Sequence, residues 1–241
     1  MNEDRIFASE DAGEGTFEFN EAVAAVFPDM LKRSIPGYET SIFTVGYLAR
    51  RFVAANTRCY DLGCSLGAAT LAMRHNISGP GCRIVAIDGS KPMTRRCRDI
   101  IADDDAPIPV DVITGDVRDA VIENASMVVM NYTLQFLPIA DREQMIAAIF
   151  SGMNEGGVFV LSEKVVDEDA DIDGVLVDLH HEQKRRNAYS DSEISRKRAA
   201  IENVLIPESL ETHRERLAEA GFRHFGVVLR YFNFVSLVAI K

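Results

Sequence analysis

The chain has 241 residues, a hydrophobic content of 47% and a formal net charge of −11 at pH 7. This length predicts a single domain over residues 1–241, and the acidity disfavours non-specific nucleic-acid binding, which needs clustered Lys and Arg. No apolar run of about 18 residues indicates a membrane span, and the start at Met1–Arg5 lacks a signal-peptide pattern. We therefore expect a cytoplasmic enzyme of small molecules, with no direct contact to nucleic acid or membrane.

The N-terminal part predicts an arm followed by two helices. Residues up to about Thr16 are expected to form a mobile arm. Asn20 is a candidate N-cap for a first helix, in which Pro28 predicts a break or kink. A second helix follows the turn Ser34–Tyr38. We expect residues 17–55 to form a helical cap over a ligand pocket.

From Arg58 onward, β-prone and helix-prone segments alternate, which is typical of a parallel sheet with right-handed crossovers. The predicted strands are Arg58–Leu62, Arg83–Ile87, Val110–Thr114, Ser126–Asn131 and Val158–Ser162. The predicted helices between them are Ala68–His75, Pro92–Ala102 and Asp141–Met153. In such a sheet, ligands bind at the carboxyl ends of the strands.

Residues 166–220 depart from this alternation and predict a helical insertion. Its helices are expected at Ile172–Arg186, Ser190–Val204 and Pro207–Ala220. It contains a basic cluster that the overall charge conceals: His180, His181, Lys184, Arg185, Arg186, Arg196, Lys197 and Arg198. This cluster is either a solvated or dimer-facing surface, or a site for an anionic substrate. Adjacent histidines point about 100° apart on a helix, so they make a poor shared ligand pair and we expect no metal.

The segment from Arg58 to Leu71 has the pattern of a strand, a glycine turn and a helix. Such turns bring backbone N–H groups against a nucleotide or its analogue. The spacing Asp-x-Gly-x-x-x-Gly differs from the Gly-x-Gly-x-x-Gly of dinucleotide-binding folds. A turn that only connects a strand to a helix is the alternative interpretation.

Acidic residues follow successive predicted strands. Asp61 ends the first strand, Asp88 the second, and Asp116 comes after the third. An acid in the position of Asp88 is suited to accept hydrogen bonds from both ribose hydroxyls. Asp116, followed by Val117, is suited to bind an adenine amino group beside an apolar wall. Together with the glycine turn, these positions favour nucleoside binding.

The C-terminal runs Phe225–Tyr231 and Phe234–Ile240 resemble the closing hairpin of class I S-adenosylmethionine (SAM) methyltransferases. A more specific resemblance covers nearly the whole chain, and the segments that carry it are Glu21–Tyr38, Tyr60–Thr70, Glu123–Leu137, Leu161–Lys164 and Lys197–Val204. These segments resemble the carboxy-S-adenosyl-L-methionine (carboxy-SAM) synthases. It implies a Rossmann-like class I methyltransferase fold: an α/β domain with a mostly parallel seven-stranded sheet, a C-terminal antiparallel hairpin and a helical insertion.

The resemblance also implies a reaction unlike methyl transfer. SAM and prephenate would yield carboxy-SAM, phenylpyruvate and water, and a downstream enzyme would use the product to modify the wobble uridine of tRNA. Hydroxide lost as prephenate aromatises could take a methyl proton, and the resulting ylide could capture the released carbon dioxide. The protein would then supply proximity and a dry pocket, so we assign no general base. The family resemblance further implies a homodimer, with the insertion as the expected interface.

The residues implied to line the SAM or product site are Tyr38, Gly63, Cys64, Ser65, Asp88, Gly89, Asp116, Val117, Asn131 and Arg198. Arg198 is expected to pair with the carboxylate that distinguishes carboxy-SAM from SAM. Gly89 departs from the family pattern, in which Asn is common, so any side-chain contact there would be lost. Two alternatives stay open: a conventional SAM-dependent small-molecule methyltransferase and a non-catalytic SAM-binding protein.

Overall fold

The computed structural model describes residues 3–8 and 17–241. Its strands are β1 Arg58–Leu62, β2 Arg83–Asp88, β3 Val110–Thr114, β4 Ala125–Asn131, β5 Met153–Val166, β6 Glu208–Ser209, β7 His224–Tyr231 and β8 Phe234–Ile240. The main sheet has the order β3-β2-β1-β4-β5-β8-β7, and the short β6 pairs with β5. Strands β1 to β5 are parallel, whereas β8 is antiparallel to both β5 and β7. The predicted parallel sheet with an antiparallel hairpin is confirmed.

The helices surround this sheet. They are α1 Glu21–Ser34, α2 Tyr38–Phe52, α3 Ala68–Arg74, α4 Lys91–Asp103, α5 Ile139–Gly152, α6 Ala170–Arg186, α7 Asp191–Ile201 and α8 Leu210–Ala220. Short 3₁₀ turns follow β3 and β4, at Val117–Asp119 and Leu134–Phe136. The order of the helices and of the other seven strands agrees with the sequence analysis, whereas the short β6 lies within the predicted helix Pro207–Ala220. Strand β5 is the element whose extent differs most, because it runs well past both predicted ends.

Both faces of the central strands are buried, which explains their continuous apolar sequence. All residues of β4 before its last are buried, from Ala125 to Met130. On one face, α5 and α8 pack through Ile146, Ile149 and Leu217. On the other, residues of α2 and α3 join a second core cluster with β1, β2 and β4. These two layers hold the carboxyl ends of β1, β2 and β4 in fixed positions.

Of the break or kink predicted at Pro28, the break is wrong, because α1 runs from Glu21 to Ser34 without interruption, and the kink stays a prediction. Asn20 caps the helix as expected, and its Oδ1 accepts the N–H groups of Ala22 and Val23, both at 3.1 Å. A proline removes one helical hydrogen bond. Burial of neighbouring apolar residues of the helix, Phe27 among them, offsets that loss.

The predicted mobile arm is also wrong where the structure describes it. Part of the expected arm, residues 9–16, lies outside the described residues. Within residues 3–8, Asp4 is only 1% exposed and Phe7 only 6%. Phe7 joins a core cluster with residues of α1, α4 and α7. The described start of the chain therefore packs against the folded body.

Candidate functional site

A cavity of about 1090 Å³ opens at the carboxyl ends of β1, β2 and β4. Residues of α1, α2, α6 and α7 close it from the other side. Every predicted site residue lies on its wall: Tyr38, Gly63, Cys64, Ser65, Asp88, Gly89, Asp116, Val117, Asn131 and Arg198. The structure thus brings together residues from distant parts of the sequence, although contact of each with a ligand stays a prediction.

The loop after β1 has a shape that requires glycine. Gly63 has φ +88°, and a Cβ there would lie 2.1 Å from Oγ1 of Thr133. Only a residue without a Cβ tolerates both the dihedral and this approach. The loop after β1 and the loop after β4 consequently meet at the mouth of the cavity.

The expectation that this turn brings backbone N–H groups against a ligand is wrong for four of its residues. The N–H groups of Gly63 and Cys64 donate to the carbonyl of Ile87, at 2.8 and 3.0 Å. The N–H of Ser65 donates to Oδ2 of Asp88 at 2.9 Å. Gly67 donates back to Cys64 at 2.7 Å. Positive φ at Gly63, Ser65 and Gly67 folds the loop onto β2. These residues therefore offer a ligand shape and space rather than backbone donors.

Asp88 is held rigidly at the end of β2. Its two carboxylate oxygens accept the N–H groups of Ser65, at 2.9 Å, and Ser90, at 2.8 Å. Burial raises the pKa of Asp88 above its usual value. Nearby, Asp61 accepts the hydroxyl of Thr70 at 2.6 Å, and burial raises the pKa of Asp61 to about 6. Each oxygen of Asp88 retains a second lone pair for a ligand hydroxyl.

Asp116 differs from the other two acids because a neighbouring cation already binds it. Nε of Arg118 donates to its Oδ1 at 3.0 Å, and the guanidinium also contacts Oδ2. These hydrogen bonds lower the pKa of Asp116. The carboxylate therefore remains ionised at the cavity wall, beside the buried side chain of Val117.

The loop after β4 contains an unsatisfied acceptor. Oδ1 of Asn131 is buried with no hydrogen-bond partner among the described residues. Since buried polar groups are nearly always paired, this oxygen is free to accept a hydrogen bond from a ligand donor in the cavity. The next residue, Tyr132, has φ +62°, and its ring lies 6.5 Å from that of Tyr38. The site therefore fits a ligand with an N–H or ammonium group near Asn131.

The part of the cavity wall that comes from β5, α6 and α7 is strongly basic. We call it the basic end, and it is formed by Lys164, His181, Lys184, Lys197 and Arg198. Burial, with Lys197, Lys164 and Arg198 nearby, lowers the pKa of Lys184 to about 7. Among residues 3–8 and 17–241, no carboxylate lies within ion-pair distance of Arg198, Lys184 or Lys164. This end has an unbalanced positive charge that suits an anionic ligand.

The basic residues of the helical insertion therefore fall into two groups: some line the cavity, and others bind protein groups elsewhere. Arg185 points away and pairs with Asp191 at 2.8 Å, and Arg196 donates to the carbonyl of Phe7 at 2.9 Å. Sequence reasoning missed Lys164, because nothing in its local pattern shows that β5 continues past Ser162 into the cavity wall. It also missed an aromatic wall formed by Phe19, Phe27 and Phe136.

The described residues contain neither a cluster of metal-binding side chains nor a membrane-spanning helix. Across residues 3–8 and 17–241, no three or more His, Cys, Asp or Glu side chains are grouped to hold a metal ion. In the same part of the chain, no helix combines the length and the apolar character needed to cross a membrane.

Solved structures share this fold at low sequence identity. Human N-acetylserotonin methyltransferase, in complex with SAM, matches with a TM-score of 0.63 and 17% identity, covering 98% of this chain and 57% of that one. A putative SAM-dependent methyltransferase from Methanococcus maripaludis matches with a TM-score of 0.59 and 23% identity, covering 95% of this chain and 96% of that one. The fold is that of the class I SAM methyltransferases.

Sequence comparison is more specific. A methyltransferase domain family matches residues 60–157. Carboxy-S-adenosyl-L-methionine synthase of Klebsiella pneumoniae (strain 342) is 53% identical over 238 residues, which is 99% of this chain and 96% of that protein. The synthase of Salmonella paratyphi C (strain RKS4594) is 52% identical with the same coverage. The chain belongs to the carboxy-S-adenosyl-L-methionine synthase family of SAM-dependent, methyltransferase-like enzymes.

Proposed function

We propose that this protein converts SAM and prephenate into carboxy-SAM, phenylpyruvate and water. The observation that carries the proposal is the opposite charge of the two ends of one cavity. The end at β1, β2 and β4 has Asp61, Asp88 and the unpaired oxygen of Asn131. The other end has five basic side chains. A nucleoside with a sulfonium suits the first, and a dicarboxylate suits the second.

The charge and the volume of the cavity both support the binding of a second substrate beside SAM. A conventional acceptor such as an alcohol or a neutral phenol needs no cluster of cations. Prephenate has two carboxylates, and carboxy-SAM has one carboxylate more than SAM. Ionic hydrogen bonds from Arg and Lys to these groups are about twice as strong as neutral ones. The cavity volume of about 1090 Å³ is at the upper end of the usual range for ligand sites, about 300–1,000 Å³.

The proposed chemistry needs a pocket more than a protein base. Prephenate loses its ring carboxylate as carbon dioxide and its ring hydroxyl as hydroxide, and the ring becomes aromatic. Hydroxide takes one proton from the SAM methyl group to give water, and the ylide carbon then forms a bond to carbon dioxide. Free water would protonate the ylide, so exclusion of water is required. The aromatic wall of Phe19, Phe27 and Phe136 supports such an exclusion.

Several wider assignments belong to the same proposal. The product would serve a downstream enzyme that modifies the wobble uridine of tRNA, and this chain itself would bind no tRNA. We also propose a cytoplasmic homodimer and a single domain over residues 1–241, with residues 17–55 as a cap and residues 166–220 as a helical insertion. No metal ion takes part in the proposed scheme.

Mass spectrometry with labelled substrate tests the proposal. Purified protein is incubated with SAM and with prephenate carrying ¹³C in its ring carboxylate. We expect labelled carboxy-SAM and an equal amount of phenylpyruvate, and neither product when prephenate is omitted. S-adenosylhomocysteine formed with an added acceptor, without carboxy-SAM, would instead identify a conventional methyltransferase. Binding of SAM with no product would identify a non-catalytic SAM-binding protein.

A further inference from the structure

The first described residues of the chain are joined to the end of α1. The backbone N–H of Asp4 donates to Oδ2 of Asp29 at 2.7 Å. The carbonyl of Asp4 accepts Nη1 of Arg33 at 2.9 Å. Asp4 is only 1% exposed. Aspartates are almost never fully buried unless they are paired. The position of this residue is therefore set by specific contacts.

The Asp4 carboxylate joins α1 to α7. Oδ2 of Asp4 accepts the hydroxyl of Tyr189, in the loop before α7. Nζ of Lys197, in α7, lies 3.4 Å from the same oxygen and donates to Oγ of Ser34, at the end of α1, at 2.9 Å. The guanidinium of Arg33 stacks 3.9 Å from the centre of the Tyr189 ring. One buried carboxylate thus connects three segments of the chain.

Helix α7 has little apolar packing of its own. Its buried residues are Ile194, Lys197 and Ala200, and one of these is a lysine. The N-terminal region provides further contacts to α7. Arg196 donates to the carbonyl of Phe7 at 2.9 Å, and the N–H of Phe17 donates to the carbonyl of Ala200 at 3.0 Å. Polar contacts therefore contribute much of what fixes the position of this helix.

The position of α7 decides where Arg198 lies. Arg198 follows Lys197 and lines the basic end of the cavity. In the described part of the chain, no carboxylate lies within ion-pair distance of its guanidinium, whereas Lys197 has Asp4. The helix backbone, rather than an ion pair of its own, places Arg198 in the cavity.

We propose that Asp4 is a positioning residue: its buried carboxylate fixes α7 against α1 and so holds Arg198 where the carboxylate of carboxy-SAM binds. This inference rests on the proposed function. Asp4 also forms an ion pair with Lys197. Arg198, the next residue of α7, therefore keeps its charge available for a ligand carboxylate. The N-terminal segment thus determines how well the enzyme distinguishes a carboxylated ligand from one without the carboxylate.

Calorimetry with two ligands tests this role. Carboxy-SAM and S-adenosylhomocysteine share the nucleoside, but only the first has the added carboxylate. We expect Asp4→Asn to weaken binding of carboxy-SAM by about ten-fold or more, since a buried charge pair is lost. Binding of S-adenosylhomocysteine should change by less than about two-fold, because the hydrogen-bond and ion-pair partners of Asp4 include none of the residues predicted to bind the nucleoside. Asp171→Asn, which removes the charge of an exposed aspartate in α6, is the matched control and should change neither affinity.

A less disruptive variant, Tyr189→Phe, tests the same role if Asp4→Asn does not fold. Tyr189→Phe keeps the ring beside Arg33 and Lys197 and removes only the hydroxyl that donates to Asp4. It should weaken carboxy-SAM binding by about three-fold, again without affecting S-adenosylhomocysteine. Equal losses for both ligands, or an unchanged affinity for carboxy-SAM, would overturn the positioning role. A wild-type protein that binds the two ligands equally would contradict the proposed function itself, before any variant is compared.

Discussion

At the scale of single residues, Arg198 is the side chain that we expect to distinguish the product from SAM. Arg198→Ala removes a planar guanidinium, which is exposed in this structure, from the basic end of the cavity. Loss of a charge-assisted hydrogen-bonded pair should weaken carboxy-SAM binding by about 2–3 kcal/mol. Affinity for S-adenosylhomocysteine should stay the same. Calorimetry on the purified variant measures both values.

Arg185→Ala is the control for this substitution. Arg185 belongs to the same basic segment of sequence, but it pairs with Asp191 and Glu182 at the surface. Exposed ion pairs contribute little, so this variant should bind both ligands like the wild type. Unchanged carboxy-SAM binding in the Arg198 variant would refute the role assigned to Arg198.

Lys184 should make binding of carboxylated ligands depend on pH. Burial lowers the pKa of Lys184 to about 7, so the side chain is protonated below this pH and neutral above it. A carboxylate is attracted only to the protonated form. We expect the affinity for carboxy-SAM, relative to S-adenosylhomocysteine, to fall by about three- to ten-fold between about pH 6 and about pH 8.

Lys184→Arg is the informative variant for that profile. Arginine keeps its proton throughout this range, so the change with pH should become smaller. Some dependence should remain, because burial also lowers the pKa of Lys197, to about 8. A profile as steep as that of the wild type would exclude Lys184 as the titrating group.

Residues at strand ends could be predicted from the sequence, and their partners could not. Asp88 and Asn131 follow apolar strands, so topology alone places them at one edge of the sheet. The pairing of Asp116 with Arg118 depends on the dihedrals of a short turn, which local propensity does not determine. The burial of Asp4 depends on contacts with residues more than 180 positions away, and no local pattern encodes these contacts.

At the scale of elements, two helical glycines should respond in opposite ways to the same substitution. A Cβ at Gly152, the last residue of α5, would lie 2.2 Å from the carbonyl oxygen of Ile122. Gly152→Ala forces this backbone to move and should lower the free energy of unfolding by about 1–3 kcal/mol. Urea denaturation measures this change.

Gly174→Ala is the matched comparison. Gly174 lies within α6, and a Cβ there would meet nothing within 4 Å. Alanine is the better helix former, so this variant should raise the free energy of unfolding by about 0.5–1 kcal/mol. Similar destabilisation by both substitutions would show that contact with Ile122 does not explain the effect at Gly152.

The periodicity of the sequence predicted the limits of those strands that are defined by their own apolar pattern. Strands β1, β3 and β8 have the predicted ends, because each is an apolar or alternating run with clear limits. Strand β5 continues to Val166, through the polar residues Glu163 and Lys164, because β8 and β6 pair with this extension. Pairing between distant strands overrides local propensity in such cases.

At the scale of the whole molecule, the net charge of −11 predicts that the enzyme does not bind tRNA. Binding to nucleic acid depends on neutralising phosphates with clustered surface cations, and the cations of the basic end line the cavity. At about 0.15 M ionic strength, the dissociation constant for tRNA should be weaker than about 10⁻⁴ M. Fluorescence anisotropy with labelled tRNA measures it. Micromolar binding under these conditions would reveal a surface site that the charge balance does not suggest.

The overall architecture was the most predictable level. Alternating segments predicted a parallel sheet, and the glycine turn with the strand-end acids predicted a nucleoside site at one edge. The resemblance of specific segments predicted the family, which comparison with relatives at about 52% identity supports. What remained hidden was how the helices of residues 166–220 bring one set of cations inward and turn the others outward.

The unbalanced positive charge of the basic end also affects which nucleophiles can approach SAM. SAM donates its methyl group to many nucleophiles, and amines are common acceptors. At neutral pH an amine is usually a cation, and at this end of the cavity it would meet Lys164, Lys184 and Arg198, which have no carboxylate of residues 3–8 and 17–241 within ion-pair distance. Under the proposed function, the cluster that attracts a dicarboxylate would therefore repel competing cationic acceptors. Selectivity of this kind would protect bound SAM from ordinary methyl transfer before the anionic substrate binds.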